Sequence, residues 1–110
     1  MAKHVFLGLT NPVEGQEDEY NEWYNTTHIP EILSVPGILS ARRFKTKVVL
    51  APGAPAWKYL CIFEVETDDL GATLKALGKA TGTPISALDA GTAGQIVAKE
   101  IFSLHKNDIA

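Results

Sequence analysis

The sequence of 110 residues lacks the features that mark several classes of protein. Its one cysteine, Cys61, excludes an internal disulfide framework and a zinc site built from cysteines. Ten Lys and Arg stand against thirteen Asp and Glu, and this net charge of −3 disfavours partners such as nucleic acids or anionic membranes. No apolar run is long enough to cross a bilayer, and the first ten residues lack the apolar stretch of a signal peptide. We therefore expect one small, mildly acidic cytoplasmic domain that spans residues 1–110.

Motifs for cofactors and metals are also missing. No glycine-rich phosphate loop follows a predicted strand, so a nucleotide cofactor has no support. The three histidines are scattered and show no metal-ligand spacing. The sequence therefore predicts neither a bound cofactor nor a metal.

Hydrophobic periodicity and turn residues predict six main elements. Strands are predicted over 3–9, 38–49, 57–66 and 96–104, and helices over 16–28 and 69–80. This order is the split βαβ pattern of the α+β ferredoxin-like fold, in which a four-stranded antiparallel sheet carries both helices on one face.

Capping residues and prolines refine the helices. Asp68 and Asp69 supply an N-cap for the second helix. Pro30 is expected to kink or break the first helix, with one more turn at Ile32 and Leu33 before Pro36-Gly37. The stretch 81–95 is predicted to be irregular, with one helical turn from Pro84 to Leu88 after a Thr83 cap.

Both faces of the predicted sheet are apolar. The third strand alternates between two apolar sets, Tyr59, Cys61, Phe63 and Val65 on one face and Leu60 and Ile62 on the other. The first and fourth strands show the same two-sided pattern. Two helices cover only one face, so we expect a homodimer in which the other faces pack together.

A motif in the first half of the chain points to a known family. The segment Tyr20 to Gly37 contains W-Y-x-x-x-H-I-P-E-x-L-x-x-P-G from Trp23 onward, and Arg42-Arg43-Phe44 follows. This segment resembles the EthD-like group of the dimeric α+β barrel superfamily. The resemblance implies two ferredoxin-like sheets that close into a barrel across a dimer. It also implies a ligand cavity between each sheet and its own helices.

The superfamily includes cofactor-free monooxygenases of aromatic polyketides, polyketide cyclases, lactone isomerases and haem-degrading enzymes. The resemblance therefore implies an enzyme without a bound cofactor that acts on a hydrophobic carbonyl, aromatic or lactone-like compound, as an isomerase, a cyclase or an oxygenase. A non-catalytic binding protein for an apolar carboxylate or fatty-acid-like ligand stays open at this point. So does an accessory dimer whose cavity is filled by side chains.

His28 and Tyr24 are the candidate catalytic residues. An imidazole can give or take a proton near neutral pH, and a tyrosine hydroxyl can orient a carbonyl. The alternative for His28 is a side chain that bonds the last carbonyls of the helix, and the alternative for Tyr24 is simple packing.

Six further residues are candidates for ligand binding: His4, Phe6, Trp23, Tyr59, Phe63 and Arg43. His4 resembles the first-strand histidine that lines the pocket in the cyclases, although this sequence has no histidine after the second helix to complete their acid–base pair. Arg42 and Arg43 point to opposite faces, and the sequence does not say which of them meets a ligand. Cys61 is interpreted as a small buried hydrophobe because no charged partner is evident.

Overall fold

The computed structural model describes residues 1–51, 53, 56–82 and 84–109 of the chain. Its strands are β1 (Ala2–Thr10), β2 (Ile38–Lys45), β3 (Tyr59–Thr67) and β4 (Gly94–Lys99). Its α-helices are α1 (Glu17–Trp23), α2 (Ile29–Leu33) and α3 (Leu70–Ala80). A π-helical turn (Tyr24–His28) joins α1 to α2, and a short 3₁₀ turn (Lys106–Asp108) lies near the end of the chain. The predicted cap Thr83 lies outside the described residues.

The four strands form one sheet in the order β2-β3-β1-β4, and all three neighbouring pairs are antiparallel. The helical elements follow β1 and β3 in the chain, as the split βαβ pattern requires. The predicted ferredoxin-like α+β fold is therefore confirmed. Within the described parts of the chain, no helix has the length and apolar character needed to cross a membrane.

The first helical segment does not break at Pro30, although the sequence predicted a kink or a break there. The backbone stays helical from Glu17 to Leu33, and the wider π-turn places Pro30 in the first turn of α2. Proline is tolerated there because its missing N–H would have no partner inside that helix. The N–H of Ile29 donates to the carbonyl of Tyr24, which closes the π-turn just before the proline. Such turns recur at functional sites, where they redirect side chains.

The second predicted helix, over 69–80, corresponds to α3, which begins at Leu70 after the N-cap Asp69. The Asp69 carboxylate accepts a hydrogen bond from the Ala72 N–H at 3.0 Å, so Asp69 is the N-cap and Asp68 is not. One face of this helix carries the buried Leu77 against the sheet.

Two predicted strands end elsewhere. β2 stops at Lys45 rather than at residue 49, because β3 begins at Tyr59, which pairs with Lys45. β4 begins earlier and ends at Lys99, opposite His4 of β1. The pairing of β4 with β1 ends at Lys99, so the apolar alternation that continues beyond it does not make a longer strand.

The two sheet faces differ in what covers them. The helix-covered face carries the core, in which Phe6, Phe63 and Val65 pack with Tyr20 and Leu77 of the helices. The opposite face carries apolar residues with no covering element among the described residues, namely Leu7, Ile62, Phe44 and Ile96, which are half-buried or exposed. We refer to these four residues as the open sheet face.

Candidate functional site

A cavity of about 470 Å³ lies between the sheet and the helices. It is formed over β1 and β4 and is bounded by the π-turn, α2, α3 and the chain that follows α3. Its apolar walls include Phe6, Trp23, Ile32, Leu74, Leu77 and Val97, and its polar groups come from Thr10, Tyr24, His28, Thr81 and Gln95. No Asp, Glu, Lys or Arg is among the described residues that line it. The cavity therefore favours a neutral, largely apolar ligand.

His28 enters the cavity from the last position of the π-turn. Its ring stacks on Trp23, with centroids 4.5 Å apart and an interplanar angle of 18°, and it meets the Tyr24 ring edge to face at 4.9 Å. Burial lowers the pKa of His28, while the nearby Glu31 charge acts in the opposite direction. The imidazole is therefore neutral near pH 7 and has a lone pair available. Because the helix continues past His28 to Leu33, the imidazole does not cap a helix end.

Tyr24 brings a hydroxyl group to the cavity floor. A Cβ placed on Gly8 would lie only 2.9 Å from the Tyr24 Oη, so the hydroxyl occupies the space that glycine leaves. Burial raises the pKa of Tyr24, and the phenol stays protonated at any physiological pH. Tyr24 can therefore donate a hydrogen bond to a ligand oxygen.

Arg43 lies behind Tyr24 and does not line the cavity. Its guanidinium sits 4.4 Å from the centre of the Tyr24 ring and donates hydrogen bonds to the Asn25 and Asn21 side-chain oxygens at 2.8 and 2.9 Å. The choice that the sequence left open is thus settled, since Arg43 is on the helix-covered face and Arg42 lies over Phe44 on the other. Arg43 therefore contacts the Tyr24 ring and is not among the described residues that line the cavity.

Three other predicted ligand-binding residues also lie away from the cavity lining. Phe63 is fully buried in the core, where its ring meets Phe6 edge to face at 5.5 Å. The Tyr59 hydroxyl donates to the Glu17 carboxylate beneath α1. His4 pairs with Val65 and Lys99 near the far end of β1. The structure thus brings together Phe6, Trp23, Tyr24 and His28 of the predicted site and separates the rest from it.

Cys61 is 1% exposed, and burial raises the pKa of its thiol to about 11. Cys61 is therefore a buried, neutral side chain, in agreement with its interpretation from the sequence as a small buried hydrophobe.

Sequence analysis missed Gln95, which places an amide group in the cavity wall from β4. The residue lies in a stretch predicted to be irregular, and only its pairing with Gly8 of β1 shows that it belongs to the helix-covered face. No local signal in the sequence would have identified it.

Three solved structures are similar to this chain. A protein from Shewanella loihica PV-4, provisionally assigned as a monooxygenase, matches 94% of this chain and 99% of its own length with 13% identity and a TM-score of 0.64. An EthD family protein from Bacillus halodurans C-125 matches 92% of this chain and 100% of its own, with 16% identity and a TM-score of 0.49. HapK from Hahella chejuensis matches 96% and 97%, with 11% identity and a TM-score of 0.49.

No protein-family model and no curated protein matches the sequence. The likeness to the Shewanella protein is therefore a likeness of fold, since the identity is too low to carry a reaction across. It covers nearly the whole of both chains, and it supports the ferredoxin-like α+β fold of this chain.

Proposed function

We propose that the protein binds a neutral hydrophobic small molecule in the cavity and moves a proton on it, with His28 as the base. The observation that carries this proposal is the setting of His28. It is the only imidazole in the described cavity lining, and burial lowers its pKa, which favours the unprotonated form. A buried neutral imidazole beside an apolar pocket is suited to general base catalysis.

The proposed step is the removal of a proton from a carbon next to a carbonyl group. The His28 nitrogen takes the proton, the C–H electron pair moves into the carbonyl, and an enolate forms. The Tyr24 hydroxyl donates a hydrogen bond to the enolate oxygen, which stabilises its charge where water is excluded. Return of the proton from His28 to another carbon of the conjugated enolate completes an isomerisation. In a cyclisation the enolate carbon attacks a second carbonyl of the same ligand, and the alkoxide that forms takes the proton back from His28. A cofactor-free oxygenase would begin with the same deprotonation.

The ligand class follows from the walls of the cavity. A volume of about 470 Å³ is typical of small-molecule sites. Aromatic and aliphatic walls favour an aromatic, carbonyl or lactone-like compound. The alternative of an apolar carboxylate or fatty acid has less support, because Arg43, the cation predicted to bind it, lies behind Tyr24. An accessory dimer with a filled cavity also has less support, since the space is open.

We also propose that the protein is a homodimer that packs through the open sheet faces. The exposed apolar residues Phe44 and Ile96, which are 39% and 50% accessible, support this arrangement. We also propose a reducing, cytoplasmic location for the protein. The support for it is that the single cysteine, Cys61, is free. Light scattering at micromolar concentration should give the mass of two chains, and a monomer would contradict the dimer.

The catalytic proposal is tested with tetralone, an aromatic ketone whose α-hydrogens exchange with deuterated water. NMR should show that the wild-type protein accelerates this exchange. The change His28→Ala should slow it by about 100-fold or more, whereas tetralone affinity should change by less than about two-fold. His105→Ala is the matched control, because His105 is exposed and is not among the described residues that line the cavity.

Two outcomes would overturn this proposal. Equal exchange rates for the wild type and for His28→Ala would remove His28 from the chemistry. Binding without accelerated exchange in the wild type would leave a binding protein in place of an enzyme.

A further inference from the structure

The chain ends in a segment that has almost no contact with the rest of the protein. The Glu100 N–H donates to the Lys3 carbonyl at 2.8 Å, which is the last bond to the sheet. Beyond it, the described residues bond only to one another, through the His105 ring and the short turn at Lys106–Asp108. We call residues 100–109 the C-terminal arm.

The arm is apolar where a free tail would be polar. Ile101 is 92% exposed, Phe102 78%, Leu104 58% and Ile109 64%. Every other described residue of the arm is exposed as well. Single exposed apolar residues are ordinary, but four large ones within nine positions mark a contact surface.

The arm also extends away from its own domain. It continues from β4 past the end of the sheet where β1 begins, and the longest dimension of the chain reaches 48 Å. Residues 101–105, which precede the 3₁₀ turn, span about 17 Å when extended, enough to reach a neighbouring copy. Glu100, Lys106 and Asp108 leave the arm nearly balanced in charge, so it has no electrostatic preference for a charged partner.

The same chain carries a second uncovered apolar surface, the open sheet face. We propose that the C-terminal arm packs against a second copy of this chain, where Ile101 and Phe102 extend the contact made by the paired open sheet faces. The proposal rests on the sheet-to-sheet dimer proposed above and adds an exchange of arms to it. In this dimer, the apolar surface that each protomer's own helices leave uncovered would be buried, and neither C-terminal arm would remain exposed.

The dimer dissociation constant is the direct test, measured by sedimentation on the full chain. The double change Ile101→Gln with Phe102→Gln should raise this constant by about 100-fold or more, because both side chains would lose their burial in each copy. The control is Leu33→Gln, which removes an exposed apolar side chain from α2 on the helix side of the sheet and should leave the constant unchanged.

A photo-crosslinking amino acid at position 102 shows where the arm lies. We expect covalent dimers, with the crosslinked peptide coming from the partner chain in mixtures of isotopically labelled and unlabelled protein. Crosslinks confined to a single chain would overturn the exchange of arms. So would an unchanged dissociation constant in the double variant, although the sheet-to-sheet dimer would then stand. A monomeric wild type would overturn both.

Discussion

Adding one methyl group at Gly8 should disturb Tyr24 and thereby test the geometry of the site. The new Cβ would lie 2.9 Å from the Tyr24 Oη and 3.9 Å from the Cys61 Cβ. An ordinary contact needs about 3.4 Å or more, so the hydroxyl must withdraw by about half an ångström. The ring has little room to yield, because it lies between the Arg43 guanidinium at 4.4 Å and the His28 ring at 4.9 Å.

The expected magnitude combines two opposing effects. Overpacking a tight core costs about 1–3 kcal/mol. Replacing glycine by alanine recovers about 0.4–1 kcal/mol, because the unfolded chain loses conformational freedom. Gly8→Ala should therefore lower the free energy of unfolding by about 1–2 kcal/mol and the melting temperature by about 4–8 °C.

A double-mutant cycle with Tyr24→Phe isolates the contact. Without the hydroxyl, the alanine methyl no longer meets an oxygen, so Gly8→Ala should cost at least about 1 kcal/mol less in the Tyr24→Phe background. The assay is urea denaturation at one fixed protein concentration, because dimerisation makes stability depend on concentration. Additivity within about 0.3 kcal/mol would refute the close approach of Gly8 and Tyr24.

Three further predictions concern the groups around Tyr24 and His28. Arg43→Met should destabilise the fold by about 2 kcal/mol in urea denaturation, because the Asn21 side-chain oxygen and the Tyr24 ring lose a cationic partner, and Arg43→Lys should restore only part of this loss. A rise in stability with either change would contradict the role of Arg43. Because the folded pKa of His28 is lowered, the unfolded chain binds its proton more readily, so stability should fall as pH drops from about 6.5 through the folded pKa. Glu31→Gln should lower the His28 pKa further in an NMR titration, since it removes the charge that opposes the shift. A higher pKa in that variant would contradict the assigned cause.

The element order could be read from the sequence because it depends on local patterns. Alternation and helical spacing report which residues share a face, and Asp69 marks a helix start by its own chemistry. Strand ends are different, since they depend on pairing with a distant segment: β2 stops opposite the first residue of β3, and the pairing of β4 with β1 ends at Lys99. Which arginine faces the helices depends likewise on the register that pairs Arg43 with Cys61, a contact between distant parts of the chain.

The sequence identified only part of the site, because the position of the cavity also depends on contacts between distant parts of the chain. Periodicity placed Tyr59 and Phe63 on one face of the third strand, and both lie on the helix-covered face. The cavity, however, occupies only the part of that face over β1 and β4. The part over β2 and β3 is filled by the packed rings of Tyr20 and Tyr59 around Arg43, and no sequence pattern distinguishes a filled half from an open one.

The central claim is that the ligand lies between the helices and the sheet. NMR distance contacts between bound tetralone and the methyl groups of the protein test this most directly. The predicted result is contact with Ile32 and Leu77 of the cavity wall and none with Leu7 or Ile62 of the open sheet face. Contacts confined to Leu7 and Ile62 would contradict the account, because the ligand would then lie on the surface proposed to join two chains.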